Sequence, residues 1–480
     1  MSNNSLKMTK VYQVAHKGPK EQKEKDPNPR FFLQHLICET AGFKPREELY
    51  VSTDENNQNV IIQNTPFSVE DKEFHKIHVS YRKNKSSGTE RPIIDTAGEK
   101  YKHIVDVNQK VEVSVYNGRI VIQPLHYNLM EESTIPSPKD QRITLTSLCA
   151  GAGIGTSVFK NTGYYTPVME IEFDEDSSEV LKHNFPSSYL FNGDLKDCHS
   201  VVQSDVVLAT LPCNEASSLG FGDEGVFNNL ILAAAKIIKS AKPKAVIFEN
   251  VSAWYKTKSY QVLKELLKSE FPYWSERQME SAEFGSLARR DRTYAVAFTD
   301  KELFTSFEFP TPPKNKRKRK LRDYLDSVKE SNYEWKPLEK WVESFNSREA
   351  WKDRKLDKTF VTADVKEIQC IPKRYRSQCA SNTYVLNNEK MMWRFLTESE
   401  IMKILSVPEW FEFSPHVGTI RRYEMLGQSV DGRVLGAIAN ELATAFMRAK
   451  NKIGSVKEAV RQSAEEFISI GSDGQYELAL

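Results

Sequence analysis

From Ile143 onward, short apolar runs alternate with amphipathic stretches, and this rhythm constrains the fold more than any other feature of the chain. The runs ITLTSL, TPVMEIEF, DVVLATL, KAVIFEN and TYAVAF have the length and β-branched content of buried strands. Between them lie segments such as NNLILAAAKIIKSAK, where apolar residues recur at helical spacing. Alternation of this kind predicts a doubly wound α/β domain built on a parallel sheet. Open sheets of this class bind their ligands beyond the carboxyl ends of the strands. Functional residues are therefore expected just after each run.

With 480 residues the chain has room for two or three domains. Residues 1–30 are rich in Lys, Glu, Pro and Asn without apolar periodicity, which predicts a disordered arm. Residues 31–125 read as a β-rich domain with two related hairpins. LYVSTDENNQNVIIQ ends at Gln63 and VEVSVYNGRIVIQ ends at Gln123; each alternates apolar and polar residues across a turn, the second through Asn117 and Gly118. The stretch FLQHLICETAGFKPREELYVS resembles the lead-in of SymE/AbrB-like modules. That resemblance implies a small β fold that binds DNA or pairs as swapped hairpins, with a plain packing or dimerisation role as the alternative. Residues 126–141 contain turn formers and Pro and predict a linker. The α/β core is expected over 142–304, interrupted by a charged, Trp-bearing, irregular domain over 305–393, resumed over 394–452 and followed by a polar tail over 453–480.

Charge is nearly balanced, 67 basic against 65 acidic side chains, so nucleic-acid binding would have to come from local clusters. Six cysteines, Cys38, Cys149, Cys198, Cys213, Cys370 and Cys379, form no CxxC pair and no zinc-like spacing with His, which predicts reduced thiols and no metal. The polar N-terminus and the lack of a run of about 18 apolar residues predict a soluble, unexported, cytoplasmic protein without membrane contact.

Four strand ends carry chemistry. The loop CAGAGIG over 149–155 follows a strand and opens a helix, so its glycines let backbone amides approach a ligand. About 20 residues on, Glu172 ends the second strand, where α/β nucleotide binders place an acid on ribose hydroxyls. Pro212 and Cys213 follow the third strand, and Glu249, Asn250 and Val251 the fourth. A thiol and a carboxyl on one rim suit nucleophilic attack on an electron-poor ring, assisted by a proton donor. A lone cysteine would otherwise be read as structural.

In order, CAGAG, EFDEDSSEVLKHNFP, Gly193-Asp194, Pro212-Cys213, the ENV of 249–251, the RDR of 290–292 and the GQSV of 427–430 resemble the cytosine-5 DNA methyltransferase family over roughly residues 143–449. The resemblance implies a Rossmann-like S-adenosylmethionine-dependent methyltransferase domain and a target-recognition region over 305–393. It assigns Gly151, Ala152 and Gly153 to the cofactor site, Glu172 to the ribose, Phe173 to stacking on adenine and Asp194 to the adenine amine. Leu195, Pro212, Phe227, Ser429 and Val430 complete the cofactor's surroundings on the same ground. Cys213 would add to C6 of a flipped-out cytosine, Glu249 would bind N3 and the exocyclic amine, and Arg290 and Arg292 would hold O2. Duplex DNA is the implied substrate and a restriction endonuclease an implied partner.

Three positions depart from the family pattern: Cys149 stands for Phe, Ala288 for Gln and Gln428 for Asn. The basic run Lys314, Lys316, Arg317, Lys318, Arg319 and Lys320 would neutralise phosphates without reading sequence, unless it is a solvated loop or a nuclear import signal. Arg374 and Arg376 are further candidates for DNA contact. The alternatives to DNA methylation are an RNA methyltransferase of the same fold acting on tRNA, and an inert methyltransferase-like DNA-binding regulator.

Overall fold

A computed structural model of the protein describes residues 5–17, 28–68, 73–83, 88–125, 133–136, 142–212, 229–314, 319–327, 334–347, 356–470 and 476–478. Its spine is a 13-stranded sheet. One half runs Tyr273–Glu280, Asp291–Phe298, Ala245–Asn250, Val206–Ala209, Ile143–Leu148, Tyr165–Glu172 and Tyr189–Asn192. From Ala245–Asn250 to Tyr189–Asn192 every neighbour is parallel; the Asp291–Phe298 and Tyr273–Glu280 strands close that edge antiparallel. Helices Ile154–Asn161, Glu175–Asn184, Asn229–Ala241 and Lys258–Leu267 connect these strands, giving the α/β domain that the apolar alternation predicts.

The other half continues without a break through Met8–Gln13, Lys110–Tyr116, Arg119–Pro124, Asn59–Gln63, Glu48–Asp54 and Phe74–His78. Within it, both repeated segments fold as antiparallel hairpins, Glu48–Asp54 with Asn59–Gln63 and Lys110–Tyr116 with Arg119–Pro124, and the two hairpins pair with each other. Met8–Gln13 is the join. It runs parallel to Tyr189–Asn192, with Met8 opposite Leu190 and Lys10 opposite Asn192, and antiparallel to Lys110–Tyr116. Within the expected arm, the described residues 5–17 and 28–30 are therefore part of the fold: besides this strand they contribute Ala15–Lys17 and the start of Asn28–Leu33. Local composition misled because the strand draws its stability from two flanking strands rather than from its own apolar content. Met8 and Thr9 are fully buried there, and Tyr189 donates its hydroxyl proton to Thr9 Oγ1 at 2.9 Å. Leu181, Phe185 and Leu190 of the α/β half pack into the same core as Val51, Ile62, Val113 and Ile122.

Two other boundaries shift. Within 126–141, Ser133–Ile135 pairs parallel with Ser200–Val202. The expected polar tail begins inside a helix that runs over Gly432–Phe467, followed by the strand pair Ile468–Ile470 and Tyr476–Leu478. Residues 453–467 are rich in Ala, Glu, Lys, Arg and Gln and contain no Pro, so propensity carries the helix on. The 305–393 region gathers short strands, Lys336–Pro337, Met392–Arg394, Tyr384–Asn387 and Phe360–Val361, into a small sheet around Trp341, Tyr384 and Trp393. No helix among the described residues is long and apolar enough to cross a membrane.

Two outcomes follow from this packing. A chain cut to begin at residue 142 should lose cooperative thermal unfolding and aggregate, because the Tyr189–Asn192 edge and its apolar neighbours lose their cover; calorimetry on the two lengths checks this. Burial pushes the Glu170 carboxyl up to about 8, and its Oε1 has no hydrogen-bond partner. The folded state then holds a proton that the unfolded chain releases above pH 4.5, so stability present at acid pH is lost as pH rises and is fully gone above about 8. Glu170→Gln should exceed the parent in urea resistance at pH 9, with the gap narrowing by pH 6.

Candidate active site

At the rim, the loop after Ile143–Leu148 turns sharply. Cys149, Gly151 and Gly153 all take positive φ, at 52°, 55° and 83°. At Gly153 a Cβ would lie 2.6 Å from Leu181 and 2.7 Å from Phe185, so both backbone angle and space require glycine. A Cβ at Gly151 would meet nothing within 4 Å, which leaves an open floor. Glu172 braces this loop: Oε2 accepts from Gly151 N at 2.7 Å and Oε1 from Asp174 N at 2.8 Å. Burial raises the Glu172 carboxyl, and those backbone donors oppose the rise. Next to it the Phe173 ring is 74% exposed, an apolar face without cover. Asp194 caps the short turn Leu195–Asp197 by accepting from Lys196 N at 3.1 Å, and keeps a partly open carboxylate; Leu195 is buried beneath. Ala152 and Val430 are buried at the same loop cluster, and Ser429 turns its hydroxyl onto Leu426 O at 2.7 Å.

The second group of residues meets around the ends of Val206–Ala209 and Ala245–Asn250. These strands pair with Ala209 opposite Phe248, which sets Leu211 beside Asn250. Asn250 Nδ2 donates to Leu211 O at 3.0 Å, and Val251 N donates to Asn250 Oδ1 at 2.8 Å. Thr210 Oγ1 donates to Cys149 O at 3.0 Å, joining this rim to the glycine loop. Pro212 is exposed at the edge; Cys213 and Phe227 lie outside the described residues.

Glu249 is buried, and Arg292 Nε stands 3.1 Å from its Oε1. The pair is an ion pair without the alignment of a hydrogen bond, so Oε1 retains its accepting capacity. Arg290 is 4% exposed; its Nη1 lies 3.5 Å from Gly427 O and 3.6 Å from Cys370 Sγ, and its Nε has no partner. Burial, then the charge of Arg292, lowers the Arg290 guanidinium from its ordinary range, yet a guanidinium stays charged at neutral pH. A carboxylate oxygen that is ion-paired but not hydrogen-bonded and a guanidinium N–H without a hydrogen-bond partner thus stand on one rim.

Gly427 fixes the far wall. A Cβ there would lie 2.2 Å from Pro372 O, so the Thr419–Gln428 helix can pass the 372–373 backbone only with glycine. Ala288 is buried and bridges to Ile368 of the intervening region, and Gln428 is exposed at the helix end. Burial pushes the Cys149 thiol up, which keeps it protonated. Of the cationic candidates, Arg376 lies 4.4 Å over the Phe395 ring, Arg374 is exposed, and Lys316, Arg317 and Lys318 lie outside the described residues.

Sequence reasoning missed the positioning role of Asn250, the Thr210 tie, and Asp431. Asp431 is buried and accepts from Arg433 N and Val434 N, capping the Gly432–Phe467 helix, while Ser286 donates to its other oxygen. An Asp just ahead of a helical run was a legible capping signal. Asn250→Ala leaves a buried carbonyl unsatisfied at Leu211 and should lower the unfolding free energy by about 1–3 kcal/mol in urea titrations.

Comparison with known proteins fits this geometry. Residues 143–444 match the family model for C-5 cytosine-specific DNA methylase. The chain is similar to the type II methyltransferase M.Bsp6I of Bacillus sp. (strain RFL6), 23% identical over 62% of this chain and 98% of that one. It is also similar to M.NgoPII of Neisseria gonorrhoeae, 24% identical over 64% and 95%. In fold it resembles the Dnmt2 methyltransferase of S. pombe, with TM-score 0.50, 16% identity and coverage of 63% of this chain and 98% of that one. The Entamoeba histolytica methyltransferase EhMeth gives TM-score 0.52 at 15% identity over 63% and 98%. The chain belongs to the C-5 cytosine-specific DNA methylase family.

Proposed function

We propose that this DNA cytosine-5 methyltransferase uses S-adenosylmethionine and a covalent adduct through Cys213. The observation that carries the reading is the convergence of Glu249, Arg290 and Arg292 on the rim where Leu211 and Pro212 lead into Cys213. The residues present suit the cofactor. Gly151 leaves an open floor, Glu172 is fixed at the loop with lone pairs to spare for a ribose, the exposed Phe173 ring offers a stacking face, and Asp194 keeps a partly open carboxylate for an amine. Ala152, Gly153, Leu195, Pro212, Phe227, Ser429 and Val430 would complete that surface. S-adenosylmethionine supplies an electrophilic methyl group.

The chain's own residues do the rest. A cytosine must leave the stack to be reached, at a cost of a few kcal/mol that protein contacts offset. Arg290 and Arg292 hold its O2 and favour the thiolate of Cys213, whose ordinary pKa of about 8.5 would leave it mostly protonated. The thiolate forms a bond to C6 as the C5–C6 double bond opens, leaving C5 nucleophilic toward the methyl group that bound S-adenosylmethionine would give up, itself leaving as S-adenosylhomocysteine. Glu249 holds N3 and the exocyclic amine, reducing the charge that accumulates in the ring during attack. Loss of the C5 proton to a base then expels the thiolate and restores the aromatic base.

The preferred substrate is duplex DNA, and the type II names of the relatives support a restriction endonuclease partner and a cytoplasmic setting. The N-terminal sheet half is proposed to bind DNA. Incubation with labelled cofactor and either duplex DNA or tRNA should label DNA alone, and bisulfite sequencing should place the mark at C5. Glu249→Gln should lower turnover by about 10²–10⁴-fold, the range for a lost proton donor. Label found only in tRNA would overturn the substrate, and an active Glu249→Gln the assignment of Glu249.

A further inference from the structure

A second concavity, of about 510 Å³, opens between a four-stranded sheet of the N-terminal region and the 415–422 segment of the α/β domain. One wall comes from the strand pair Ser80–Lys83 and Glu90–Ala97 and from the start of the His35–Thr40 helix; the other comes from residues 415–422. The charged groups lining it are of one sign: Arg82, Lys83, Arg91 and Arg422, with His35 and His416 between them. No carboxylate is among its described lining residues. Acids stand behind the wall, Glu179 at 2.6 Å from His35, Glu398 at 3.5 Å from Arg422 and Glu90 at 4.0 Å from Lys83, and they orient these groups. Arg82 lies 5.0 Å over the Phe32 ring.

Two features show that the wall has binding capacity left over. Arg91 Nη2 donates to His416 O at 3.1 Å, yet Arg91 Nε and His416 Nδ1 are buried with no hydrogen-bond partner. A buried polar group left unsatisfied is destabilising, and a ligand that pairs with it recovers that cost. The Thr419–Gln428 helix also begins here, capped by Gly418, which has no side-chain acceptor to offer its first amides. Those amides and the helix dipole add to the positive field.

We infer that this cavity is a phosphate-binding site built jointly by the N-terminal region and the α/β domain. Its ligand is a phosphate group, carried either on the DNA backbone or on a free phosphate compound. The ten-residue helix leads from the cavity to Gly427, which touches Arg290. At 1.5 Å per residue it spans about 15 Å, or four to five base-pair steps of about 3.4 Å. A duplex engaged at the rim therefore has backbone within reach of the cavity.

Binding, not methyl transfer, is the readout, so the result is independent of the catalytic proposal. The full chain is titrated with inorganic pyrophosphate by calorimetry and with labelled duplex DNA by fluorescence anisotropy. Arg82→Ala/Lys83→Ala removes two exposed charges of the cavity, and Lys44→Ala/Lys258→Ala removes two exposed charges outside it. The cavity variant should weaken phosphate binding at least about tenfold, equivalent to about 1.4 kcal/mol, while the control matches the parent. A fall in DNA affinity with a shallower salt dependence, with or without pyrophosphate binding, assigns the DNA backbone; a fall in pyrophosphate affinity alone assigns a free phosphate compound. Indistinguishable behaviour of the two variants in both titrations overturns the site.

Discussion

The parallel pairing of Val206–Ala209 with Ala245–Asn250 sets the distances on which the rest of the site depends. Because Ala209 faces Phe248, the two chains leave the sheet together, and Asn250 locks them by donating to Leu211. A shift of one residue would turn Glu249 to the other face of the sheet, since side chains alternate with period two. That register carries Glu249 to Arg292, and the antiparallel Asp291–Phe298 strand places Thr293 opposite Asn250. Glu249 and the two arginines are thus placed by the register of one sheet.

The cofactor half is held by a different device. Positive φ at three of five residues lets the 149–153 loop fold back, and the Glu172 carboxylate ties Gly151 to the start of the next helix. Thr210 connects that loop to the catalytic rim through Cys149 O. The two halves of the chemistry therefore share a short chain of hydrogen bonds, and Gly427, packed on Pro372 and touched by Arg290, closes it from the 305–393 side.

Much of this was legible in the residues. The apolar alternation after Ile143 fixes the sheet class, and the strand-end motifs Glu172, Pro212 and Glu249 fall on the rim because ligand sites of open α/β sheets lie there. The join at Met8–Gln13 was not legible, because its partners Tyr189–Asn192 and Lys110–Tyr116 are far away in sequence and its own composition is polar. Asn250 was visible as a motif residue, but its action on Leu211 depends on the strand register, which periodicity does not supply. The cationic cavity escaped for a similar reason: Arg82, Arg91 and Arg422 are scattered along the chain and meet only when the N-terminal region packs against the α/β domain.

Of the cysteines, Cys149 sits closest in sequence to the glycine loop, but burial keeps its thiol protonated, whereas Cys370 is exposed beside Arg290. Chemical trapping separates these thiols from Cys213. Duplex DNA carrying 5-fluorocytosine cannot lose fluorine in place of the C5 proton, so an attacked base stays bound to the protein. Mass spectrometry of the denatured, digested complex should find the modified base on the peptide containing Cys213, and Cys213→Ser should form no adduct. A parent protein that forms no adduct, or one trapped at Cys149 or Cys370, would contradict the mechanism.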